Sequence, residues 1–336
     1  MKTVLCLFIF CLSALVQPAL AGNHAGSVTM NFDLSAQPNQ DIVRLWVPYP
    51  VTDRDQTIGD IQISGDFAAS GVYTEAVNGT PALYAEWPKG AVSRKLTFSF
   101  TVERREIVRG DLPAVETAWN PAEYTGSLAP TSLGPIDGAV RELAMSIVKG
   151  KSSNLEKSKA IYDWTVENMY RDPETRGCGK GDVCVLLQKP GGKCTDISSV
   201  FIALCRAAGV PAREIFGLRL GKTPEQDITT WQHCWAEFYV PGAGWVPTDP
   251  ADVRKAMLVN NLEPGSDRVG ELRDYFWGGI DAYRFKIATG RDLALNPPQA
   301  GPPLNTFGYP YAEAGGRPLD FYAPQSFTYS IIYREK

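Results

Sequence analysis

Cys194, His233 and Asp249 follow one another along the chain as thiol, imidazole and carboxylate. A thiol is nucleophilic as its thiolate, an imidazole can take and return the proton, and a carboxylate can hold the imidazole in the useful tautomer. Cys194 comes after Pro190-Gly191-Gly192, which breaks the chain. It opens a run in which Ile197, Val200, Phe201, Leu204 and Ala208 recur at helical spacing until Gly209 and Pro211 end it. The spacing predicts a helix with Cys194 in its first turn, where unpaired N–H groups and the helix dipole favour the anion and lower a thiol's pKa. Thr195 and Asp196 read as helix-start residues.

The thiol inventory depends on where the mature chain begins. Lys2, the apolar stretch Val4 to Val16 and the small residues of Ala19-Leu20-Ala21 have the form of a cleaved secretory signal, residues 1–21. The stretch is shorter than the roughly 20 apolar residues of a spanning helix, so the expectation is an exported protein, periplasmic or extracellular, with no membrane span after cleavage. Of the 7 cysteines, Cys6 and Cys11 leave with the signal. Cys178, Cys184, Cys194, Cys205 and Cys234 remain, an odd set that leaves at least one thiol unpaired in a monomer. The loop Gly179-Lys180-Gly181-Asp182-Val183 could close a disulfide between Cys178 and Cys184, or either could pair with another non-catalytic cysteine. Cys205 and Cys234 could bridge or stay as buried thiols. The chain has 2 histidines; His24 lies near a terminus expected to be mobile, which leaves His233 as the histidine expected inside the fold.

The elements that must position these residues are mixed. With 31 Gly and 25 Pro in 336 residues, short strands and turns are favoured over a helical bundle. Residues 27–109 alternate as strands at Val28-Met30-Phe32, Ile42 to Val47, Leu83 to Trp87 and Leu96 to Val102, which suggests a β-sandwich without visible chemistry. Residues 110–134 read as a linker. Residues 135–290 begin with helical spacing from Ile136 to Val148 and a capping box, Ser153-Asn154-Leu155-Glu156, and continue through the Cys194 helix into strands Ala212 to Leu220 and His233 to Val240. Residues 291–336 form an extension with a late strand from Ser326 to Tyr333. A turn at Pro241-Gly242-Ala243 that pairs Val240 with Gly244 sets Trp235 opposite Asp249 and keeps His233 on the same face as Asp249.

Gly191-Gly192-Lys193-Cys194, the exit Arg206-Ala207-Ala208-Gly209-Val210-Pro211-Ala212-Arg213, His233-Cys234-Trp235-Ala236-Glu237 and Gly244-Trp245-Val246-Pro247-Thr248-Asp249-Pro250 together resemble the core of the transglutaminase-like superfamily. The resemblance spans about Cys194 to Asp249 and, more loosely, the helix before it through Tyr170. It implies a papain-like α+β core with a helix on an antiparallel sheet, Cys194 as nucleophile, His233 as general base and acid, and Asp249 as the orienting carboxylate. The implied chemistry is an acyl-enzyme formed on Cys194 from an amide or peptide bond and passed to water or an amine, with protein or peptide substrates. Cys234 departs from the small residue usual after that histidine and reads as a buried hydrophobe or a disulfide partner. Gln188 or Asn168 could donate to an oxyanion beside the Cys194 N–H, and Trp231, Trp235 and Trp245 could line an acyl groove or the core.

Other classes fit less well. A net charge of -4 with dispersed basic residues gives no footprint for nucleic acid. A zinc site drawn from the five cysteines and His233 lacks any Cys-x-x-Cys pair, so no metal and no cofactor is expected. A non-catalytic adaptor that keeps the fold is the alternative to the enzyme.

Overall fold

A computed structural model describes residues 22–110 and 112–336; the expected signal segment lies outside the described residues. The architecture is α+β, with antiparallel sheets flanking a helix-and-sheet core. One five-stranded sheet is built around Asn23–Asp33 and Lys95–Arg105, whose residues alternate between buried and solvent faces. Val28, Met30, Phe32, Leu96, Phe98, Phe100 and Val102 form its buried face. The other is built around Val43–Pro48 and Pro81–Trp87. Two further strands, Gln56–Gly65 and Ala69–Thr74, lie at the sheet edges. Their sequences carry little apolar alternation because much of each strand is exposed.

Strands near both ends of the described residues build this pair of sheets. Thr328–Glu335 pairs with Asn23–Asp33, and Tyr311–Ala314 pairs with Val43–Pro48. His24 is consequently buried, contrary to the expectation of a mobile terminus. Its Nε2 lies 2.9 Å from the Gly221 carbonyl and 2.7 Å from the Tyr333 hydroxyl. Sequence position alone misjudged it, because the late strand that covers it is more than 300 residues away in the chain.

The core holds a four-stranded antiparallel sheet in the order Gly244–Thr248, Gln232–Val240, Ala212–Arg219, Arg284–Thr289. The helix Cys194–Ala207 packs on one face through contacts such as Phe201 on Phe238. The opposite face carries Trp235 and Ile215 against Ile107 and Ile280. Gly138–Ile147 and Asn154–Asn168 are the two expected helices, the second opened by the Ser153–Glu156 capping box. The hairpin has the expected register, with Val240 opposite Gly244 and Ala236 opposite Thr248.

Beneath the Cys194 helix, Glu214 is buried, its carboxylate 3.3 Å from Ser199 Oγ and 3.9 Å from Arg291. Burial raises its pKa to about 7, against the opposing pull of Arg291 and Arg206. A carboxyl whose folded pKa lies above its unfolded value loses stability as pH rises between the two, here from roughly 4.3 to about 7. At about 1.4 kcal/mol per tenfold change in proton affinity, the ionised form costs roughly 4 kcal/mol. Glu214→Gln should flatten that part of the pH–stability curve, as read from urea midpoints between pH 4.5 and 8. A variant curve parallel to wild type would contradict the assignment.

Candidate active site

Cys194 is the first residue of its helix and is 3% exposed. The turn that presents it is fixed by Asp196, whose carboxylate accepts from Lys193 N at 2.9 Å and Gly181 N at 2.7 Å. Asp196 is therefore a helix-start residue, as expected. Gly179 has φ +94°, and a Cβ there would collide with the Asp196 carboxylate, as would one at Gly192.

This arrangement corrects the expected disulfide. Gly179 makes room for Asp196 and Gly181 for Ser199 and Arg291, rather than closing a Cys178–Cys184 loop. Cys184 is exposed on the helix Val183–Gln188, whereas Cys178 is buried, and the five cysteines among the described residues are all free thiols. Cys178, Cys194 and Cys234 place their sulfur atoms within 4.8 Å of one another. Cys178 Sγ also accepts from Tyr309 Oη at 3.2 Å, and Cys234 Sγ lies 3.2 Å from Thr195 Oγ1. Cys205 is buried elsewhere along the helix.

His233 and Cys234 project to opposite faces of their strand, so Cys234 meets the start of the Cys194 helix while His233 meets Asp249. His233 Nε2 is 2.6 Å from Asp249 Oδ2, leaving Nδ1 as the nitrogen available to the thiol. Asp249 also caps the helix Pro250–Val259, accepting from Asp252 N at 2.9 Å. A charge network that sequence reasoning missed lies behind this pair. The fully buried Arg284 reaches Asp249, Asp252 and Asp281, and its Nη2 is 2.6 Å from Asp252 Oδ2. Arg219 Nη2 is 2.5 Å from Asp252 Oδ1. Asp252 is held well below the carboxylate range: Arg219, Arg284 and His233 overcome its burial.

The electrostatics favour an ion pair at the thiol. Cys194 is held well below an ordinary thiol, first by the Cys178 thiol, then by Cys234 and by His233, against the effect of burial. The neighbouring anion raises Cys178 and burial raises Cys234, so these two keep their protons and can donate to the thiolate. Burial and Arg219 depress the imidazole, but Asp252 and Asp249 outweigh them and His233 stands above its ordinary value. Cys178→Ala should therefore move the acid limb of Cys194 alkylation to higher pH while turnover persists. Iodoacetamide rates followed by mass spectrometry check this, and an unmoved limb would remove Cys178 from the set.

Cys194 and His233 open onto a cleft of about 650 Å³ bounded by Trp231, Tyr309, Phe321, Tyr322, Phe327 and Tyr329 among others. Trp231 thus lines the cleft. Trp235 is buried beside the His233 ring, and Trp245 stacks on Arg213 outside it. Neither Gln188 nor Asn168 lines the cleft; Asn168 turns its amide back to the Trp164 carbonyl. Among the described residues no helix is long and apolar enough to cross a membrane.

Residues 141–250 match the core of the transglutaminase-like superfamily. An uncharacterized protein of Haemophilus influenzae is 35% identical over 341 residues, covering 93% of this chain and 92% of that protein. The uncharacterized protein YebA of Bacillus subtilis is 29% identical over 155 residues, 42% of this chain and 21% of that one. A solved structure from Cytophaga hutchinsonii, described as a candidate cysteine protease, superposes with a TM-score of 0.54 at 16% identity, over 94% of this chain and 99% of that chain. That likeness is one of fold.

Proposed function

Because the chain belongs to the transglutaminase-like superfamily, we propose that it is an exported thiol enzyme that forms an acyl-enzyme on Cys194 from an amide and passes the acyl group to water or an amine. The carrying observation is the buried Cys194 at a helix start, its pKa held down, beside an imidazole tied through Nε2 to Asp249 at 2.6 Å. The thiolate attacks the amide carbon, and the carbonyl electron pair moves to oxygen. The Cys194 N–H, in the first helical turn without an intrahelical acceptor, can stabilise that oxyanion. His233 gives the proton on Nδ1 to the leaving nitrogen, the C–N bond breaks, and a thioester remains. Water or an amine then attacks the thioester, losing its proton to His233 as the Cys194 thiolate departs. Asp249 holds the ring and steadies the imidazolium without taking its proton. Export is supported by the form of residues 1–21.

Incubation with glutamine-containing and isopeptide-linked peptides, with and without a primary amine, separates ammonia release, cross-linking and cleavage by mass spectrometry. At least one product should form with the native protein and none with Cys194→Ala. Equal product from both would overturn the assignment.

A further inference from the structure

Four basic side chains line the cleft of the thiol, and only one of them forms an ion pair. Arg171, Lys193, Arg219 and Lys255 all line the Cys194 cleft, and no aspartate or glutamate lines it. Arg219 is paired with Asp252. Among the described residues, Arg171, Lys193 and Lys255 have no carboxylate within salt-bridge distance, although each is partly withdrawn from solvent. Lys193 directly precedes the nucleophile. Lys255, on the helix that Asp249 caps, stands where this cleft meets a neighbouring one of about 680 Å³, the two sharing Arg219, Trp231 and Lys255. The fields overlap: burial and the nearby Arg219 and Arg171 depress Lys255, while Asp252 and Cys194 act in the opposite sense without reversing the shift.

Three unpaired cations in a partly enclosed cleft exceed what one thiolate needs. Holding like charges together there is unfavourable unless a ligand supplies anions. Resting on the acyl-transfer reading above, we propose that the substrate is an acidic peptide, with carboxylates flanking the attacked amide that are received by Arg171, Lys193 and Lys255. Phe321, Tyr322, Phe327 and Tyr329, which line the same cleft, receive an apolar or aromatic side chain. Arg171 and Lys255 thus determine specificity while standing apart from proton transfer.

Binding tests the idea separately from turnover. The probes are a blocked hexapeptide with four glutamates around a central phenylalanine–glutamine pair and its counterpart with every glutamate replaced by glutamine. Titrated into Cys194→Ala protein, the acidic peptide should bind at least tenfold more tightly at low salt, an advantage that shrinks as ionic strength rises. Lys255→Met, which keeps the aliphatic stem, and Arg171→Gln should each remove most of that preference and leave neutral-peptide affinity and thermal stability close to those of the parent. Equal affinity for the two probes would overturn the proposal. So would variants that move the pH dependence of Cys194 alkylation but not the preference, since the cations would then serve the thiolate alone. A clear acidic preference with no amide product from native protein would instead fault the acyl-transfer reading and leave an acidic-peptide-binding cleft.

Discussion

Turnover of the best amide substrate falls by on the order of 10²–10⁴ when His233 is replaced with alanine, the range general acid–base catalysis supplies. The imidazole serves twice, protonating the leaving nitrogen and then activating water or amine, and nothing else at the thiol can do both. His24 is folded but held by Gly221 and Tyr333, outside the cleft. The Cys178 and Cys234 thiols, raised in pKa, can donate a hydrogen bond but do not shuttle protons near neutrality. Asp249→Ala should cost less turnover than His233→Ala, since its role is to orient. Steady-state rates across pH check the sign as well. The acid limb belongs to Cys194 and falls below the usual thiol value, whereas the alkaline limb belongs to His233 and stands above the usual imidazole value. His233→Ala retaining more than a tenth of native turnover would contradict the assigned role.

The largest effect on stability is expected at Arg284. It is fully buried between Asp249, Asp252 and Asp281, so Arg284→Met leaves three carboxylates to share the remaining charge of Arg219 and His233. Breaking a buried ion pair from one side costs about 3–5 kcal/mol, and a cost of that order should appear in urea denaturation at pH 7. The pH dependence has a definite sign. Asp252, held low in the native fold, contributes stability above its unfolded pKa that is lost as pH falls through the folded one. In the variant that depression is weaker, so the gap between the two proteins should be widest at neutral pH and narrow below about pH 4. Arg284→Lys keeps the charge but loses the fork that serves several carboxylates, and should fall between them. A loss under 1 kcal/mol at pH 7 would mean that the network is not structural.

How much of this was legible follows from how local each signal is. Gly-Gly before Cys194 and the apolar stripe after it give the helix start directly. The Pro241-Gly242-Ala243 turn fixes the pairing that carries His233 toward Asp249, because side-chain direction alternates residue by residue. The ring of charge behind the imidazole left no such trace. Asp252 looks like any acidic residue in a first helical turn, and Arg284 opens the strand Arg284–Thr289, 32 residues further along the chain. The two meet only because that strand closes the sheet beside Ala212–Arg219. Cys178 was misread for a related reason. Glycines on both sides of Lys180 suggest a closable loop, and only the folded chain shows that Gly179 accommodates the Asp196 carboxylate and Gly181 the Ser199 and Arg291 side chains. The pairing of the last strand with the first is equally non-local and left His24 misplaced.

The thiolate–imidazolium pair is the point on which the account turns, and the rate of iodoacetamide reaction at Cys194 against pH reads it directly. In the native protein alkylation should proceed in mildly acidic solution, well below the ordinary thiol pKa near 8.5. In His233→Ala the profile should shift toward alkaline pH, with the helix start and the Cys178 and Cys234 thiols keeping part of the depression. Superimposable profiles for native protein and His233→Ala would show that the two side chains do not interact and would contradict the acyl-transfer assignment.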